Sequence, residues 1–120
     1  MQADWAAATG RPARLPMAGV VVLPTLAKDY PDIVSRLQAK HAEAVAWLRG
    51  APAEAAKLGA PYIPSMPEAA MAASMPYIQT EFVTAAAARP EIETFFRELE
   101  RLSPALYGGA LPSDDFYYAA

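Results

Sequence analysis

Twelve prolines, from Pro12 to Pro112, interrupt this chain of 120 residues at short intervals. Each lacks a backbone N–H and clashes with a preceding helical turn, so neither one long helical hairpin nor a coiled coil is open to it. What remains is a series of short elements separated by turns. A chain of this size hides only about two-thirds of its unfolded surface, which allows a modest core but not two lobes with a cleft between them. Although 54% of the residues are hydrophobic, 28 residues are alanine, which favours helix and buries little area.

Charge and special residues exclude several classes. Ten Lys and Arg against thirteen Asp and Glu give a net charge of −3, so nucleic acid and anionic membrane surfaces are not expected partners. With no cysteine, disulfides, thiolate metal sites and thiol catalysis are all excluded. No apolar run approaches the ~20 residues of a membrane span, and Met1-Gln2-Ala3-Asp4-Trp5 lacks a basic stretch leading into an apolar one. Neither a span nor an export signal is expected in this chain.

Local patterns predict the elements. Residues 1–9 suit two helical turns ending at Gly10, and RPARLPMAG, with Pro12 and Pro16, reads as a loop. Ala18 to Leu23 is a continuous, β-branched apolar run closed by Pro24, the pattern of a strand covered on both faces. Its partner strands are expected outside this segment, in another chain or upstream. Asp29 as N-cap, Pro31 in the first turn and an apolar stripe from Ile33 to Leu48 predict a helix over about 30–49. Further helices are predicted over about 52–58, 67–74 and 90–103, and YIQTEFV at 77–83 suits an extended segment. The alanine cluster at 85–88 reads as helix. The tail carries Phe116, Tyr117 and Tyr118, which should lie back against protein rather than hang in water.

Little in the chain announces chemistry. His41, the lone histidine, sits on or beside the apolar stripe of the long helix with no motif supplying partners for a metal cluster or a triad, and reads as a packed or flanking residue. Asp114 and Asp115 adjoin in sequence, but neighbours point apart, and Ser113-Asp114-Asp115 suits the start of a helical turn. Gly108-Gly109 is followed by no Lys-Ser/Thr helix start and reads as a turn rather than a phosphate loop. The acidic and basic residues between Arg89 and Arg101 read as a solvated helix face with i,i+3 and i,i+4 pairs. Trp5, Tyr62, Tyr77 and Tyr107 read more readily as packing than as pocket walls. No catalytic residue, metal ligand or cofactor is predicted.

Three segments taken together resemble a known family. DWAAATGRPARLPMAGVVVLPTLAKDYPDIVSRLQAKHAEAVAWLRGAPAEAAKL, PEAAMAASMPYIQTEFV and EIETFFRELERLSPALYGGALPSDDFYY are similar to the C-terminal half of ABC-importer substrate-binding proteins of the nitrate, sulfonate and taurine type, including the thiamine-pyrimidine-precursor branch. The order and spacing of these weak motifs carry the resemblance, which covers nearly the whole chain. It implies a helix-dominated α/β fold forming the C-terminal portion of a two-lobed type II periplasmic-binding-protein architecture. In that scheme residues 1–120 form a single partial domain, with 1–17 as a crossing segment and 18–120 as part of one lobe. Met17, Tyr62 and Tyr77 would face the ligand cleft.

The resemblance further implies a non-catalytic solute-binding component of an ABC-type importer, periplasmic or extracytoplasmic. Its partners would be a small-molecule solute, the importer's permease, and a missing N-terminal lobe or a second copy of the chain. The first half of the family pattern is absent here, so ligand contacts are not carried over beyond those three residues. The competing reading is an independent small helical interaction domain, dimerising through residues 18–23 and the Phe95/Phe96 helix. An enzyme on the same scaffold is disfavoured by the lack of a nucleophile and base.

Overall fold

The computed structural model describes residues 2–78 and 80–119, with the side chain of Tyr107 excepted. Among these residues every regular element is helical. Six α-helices follow in order: α1 (Gln2–Thr9), α2 (Pro24–Asp29), α3 (Pro31–Gly50), α4 (Pro52–Gly59), α5 (Glu68–Ser74) and α6 (Ala85–Leu102). Short 3₁₀ turns lie at Ala60–Tyr62, Met75–Tyr77, Pro104–Tyr107 and Asp114–Phe116. The chain divides into two compact units, Met1–Pro31 with Val83–Ala120, and Asp32–Phe82.

This corrects the expected α/β fold and its type II periplasmic-binding-protein architecture: no strand forms over 18–23, and none over 77–83 among the described residues. The physical reason lies in what a strand requires. A β-branched run favours extended dihedrals locally, and Leu23 does adopt φ −64° and ψ 140°. A ladder also needs a second backbone to exchange hydrogen bonds with, and the described residues supply none. The run therefore stays unpaired and wet, with Val21 85% exposed. Pro24, expected only to close a strand, instead opens α2 at a first-turn position where its missing N–H costs nothing. Asp29 consequently lies at the end of α2 and does not cap α3.

The predicted helices form with shifted ends. α3 matches the expected long helix to within a residue, and α4 and α5 follow the short helices expected at 52–58 and 67–74. α6 begins five residues before Pro90, because Thr84 caps it: its Oγ1 accepts from the Ala87 N–H at 3.3 Å. α1 ends as predicted, with Gly10 at φ +64° and its N–H donating to the Ala6 carbonyl at 2.9 Å.

In the unit formed by Asp32–Phe82, α4 packs on α5 with Ala55, Ala56 and Met71 buried between them. Small side chains on α4 permit the approach; a Cβ on Gly59 would stand only 3.0 Å from Met71 Sδ. Burying a methionine is worth roughly 1.5–3 kcal/mol. His41 rests its ring edge-on against Phe82, centroids 5.4 Å apart, and is otherwise exposed on α3.

In the other unit aromatic rings link α1, α6 and the tail. Trp5 lies 6.1 Å from Phe95, Phe95 6.3 Å from Phe96, Phe96 6.5 Å from Phe116, and Phe116 5.1 Å from Tyr117. The tail lies against α6 as its aromatic content predicted. The loop after α1 is drawn back by Gln2, whose Oε1 accepts from the Leu15 N–H at 2.9 Å.

Candidate functional site

On α6, residues 89, 93 and 97 recur every four positions and so share one face of the helix. That row alternates Arg, Glu, Arg. Arg89 Nε donates to Glu93 Oε1 at 2.6 Å, while Arg97 Nη2 stays 3.8 Å from Glu93 Oε2, beyond hydrogen-bond reach. Arg11, from the loop after α1, joins these three with Pro90 and Thr94 around an open hollow of about 280 Å³.

Arg89 also anchors the tail. Its Nη1 pairs with Asp114 Oδ1 at 2.7 Å, and the guanidinium carbon lies 4.7 Å from the Tyr117 ring centroid. The hydrogen bond to Glu93, followed by that to Asp114, raises the Arg89 pKa above its ordinary value. Tyr117 is buried, its hydroxyl has no hydrogen-bond partner, and burial raises its pKa above the usual 10.0. Glu91 is buried on the same helix with Oε2 unpartnered and Glu93 is largely covered, so the predicted solvated face holds for Arg97, Glu98 and Arg101 but not for these two.

The three residues expected at a ligand cleft are divided between the two units. Met17 is 70% exposed in the extended segment before α2, in the same unit as α6. Tyr62 and Tyr77, 86% and 87% exposed, each end a 3₁₀ turn in the other unit, and no ring contact joins them among the described residues. A second hollow, of about 440 Å³, is lined by Ile33, Arg36, Leu37, Ala39 and Lys40, all from α3, and so is the surface of one helix. No group of three His, Asp or Glu suited to a metal ion occurs among the described residues. Asp115 accepts a hydrogen bond from the neighbouring Ser113 hydroxyl, a local turn contact.

The arginine hollow could not be read from the chain. Helical periodicity gives the 89/93/97 row, but Arg11 stands 78 positions before Arg89 in a proline-flanked loop, and no local rule couples the two. The one available signal is the glutamate between two arginines at i,i+4 spacing, which leaves more cation than carboxylate on the face. No protein-family model, characterised protein or solved structure matches the chain. No helix is long and apolar enough to cross a membrane among the described residues.

Proposed function

We propose that this chain is part of a non-catalytic solute-binding component of an ABC-type importer and works outside the cytoplasm. The observation that supports this is the closing motif. Residues GGALPSDDFYY, one of the segments that together carry the sequence resemblance, are seated on α6 through Asp114, Phe116 and Tyr117. Two consecutive glycines turn the chain and an aspartate and an aromatic ring engage one arginine, so each part of the motif has a physical task. In this reading the chain's partners are a small solute, the importer's permease, and either the remainder of the binding protein or a second copy.

The test is thermal unfolding of the chain against a panel of small solutes: inorganic oxyanions, sulfonates, pyrimidines and amino acids. A saturable rise in Tm with one class, the solute being recovered unchanged by NMR, is the expected result. A flat response across the panel, or conversion of the solute, overturns the proposal.

A second reading, a small helical interaction domain, is favoured by the all-helical architecture and by the exposed apolar residues Val20, Val21 and Leu23. It predicts concentration-dependent association by sedimentation with no response to any solute in the panel. The importer reading predicts the converse response to solute.

A further inference from the structure

We propose that Arg11, Arg89 and Arg97 form a binding site for a tetrahedral oxyanion group, such as a phosphate, sulfate or sulfonate. The argument starts from charge. Three arginines line one hollow, and the carboxylates engaging them are Glu93, placed between Arg89 and Arg97, and Asp114, paired with Arg89. Three cations against two anions leave a net positive charge, unevenly distributed. Arg89 has committed Nε and Nη1 and keeps Nη2. Arg97 is held only loosely, at 3.8 Å, and Arg11 makes no ion pair among the described residues. Like charges gathered in this way repel one another, and a bound anion removes that cost.

Geometry favours a tetrahedral group over a planar carboxylate. A guanidinium presents its donors as a rigid fork matched to two oxygens of an anion. Arginines from a loop and from two turns of α6 line one hollow, and a group with three or more terminal oxygens can offer an acceptor to each. A carboxylate has two oxygens and satisfies fewer of them. At about 280 Å³ the hollow exceeds an inorganic ion, so there is room for a small organic body attached to the anionic group. Glu93 already occupies part of the donor set and acts as an internal competitor. The inference needs only this unit of the chain and does not depend on the importer reading.

The test is calorimetric titration with inorganic phosphate, sulfate, glycerol phosphate and methanesulfonate, against chloride at matched ionic strength. Saturable one-to-one binding is expected with at least one probe, and the ranking of the four separates a free ion from an ester or a sulfonate. The double variant Arg11→Gln with Arg97→Gln should weaken that binding by tenfold or more while leaving Tm unchanged, since both side chains are exposed and neither anchors the tail. Glu93→Gln should tighten binding several-fold. No saturable binding by any probe overturns the site, as does equal affinity in the double variant. Unchanged or weaker binding in Glu93→Gln overturns the role given to that carboxylate.

Discussion

Tyr117 combines two opposed contributions in one side chain. Its ring is buried beneath Arg89 and against Phe116, while its hydroxyl is buried without a hydrogen-bond partner. Ring burial stabilises; an unsatisfied hydroxyl costs about 1 kcal/mol or more. Tyr117→Phe should therefore hold or raise stability by about 1 kcal/mol, whereas Tyr117→Ala should lose about 3 kcal/mol, both read from urea midpoints. The phenol adds a pH dependence. Burial, and then the negative charge of Glu93, raise its folded-state pKa above 10.0, with Arg89 opposing. The folded state thus holds the proton more tightly than the unfolded state. The resulting stability is complete below about pH 10 and is lost as pH rises through the folded-state value. The urea midpoint of the wild type should fall between about pH 9 and pH 11 by more than that of Tyr117→Phe, and equal falls would place the alkaline sensitivity elsewhere.

α6 shows how much of an element local sequence encodes. The stripe from Ile92 to Leu102 and the stop before Pro104 are plain in the sequence. The start is obscured because a proline ordinarily marks a first turn. Here the Thr84 cap and four alanines carry the helix through Pro90, its sixth residue, at the loss of one backbone hydrogen bond. Pro90→Ala should therefore stabilise the protein by about 1–3 kcal/mol, seen as a higher Tm and greater helical ellipticity. A lower Tm would mean that the proline ring itself is needed in this unit. The same reasoning explains α2, where Pro24 could equally end a strand or begin a helix. Nothing within Ala18–Leu23 decides between them, because the deciding quantity is the presence of a second strand, which is not a property of the segment.

At the scale of the whole molecule, the helical content follows from the alanine-rich composition and the spacing of the prolines, and this much was legible. The positions brought together by the fold were not. Arg11 meets α6 only through the return of a loop, and Asp114 meets Arg89 only once the tail has reversed. Both depend on tertiary closure rather than on spacing. Val20, Val21 and Leu23 leave apolar surface in water, so Val21→Lys should leave stability within about 0.5 kcal/mol of wild type. It should also lower self-association at high concentration, measured by sedimentation. A marked loss of stability instead would show that this segment is packed. The reversal of the tail has a consequence of its own. Gly108 and Gly109 both have positive φ, +84° and +82°, a region that L side chains enter only under strain. The path by which Asp114 and Tyr117 reach Arg89 therefore runs through a backbone handedness that glycine permits and L side chains resist, and a D-amino acid at either position would preserve a path that its mirror image would distort.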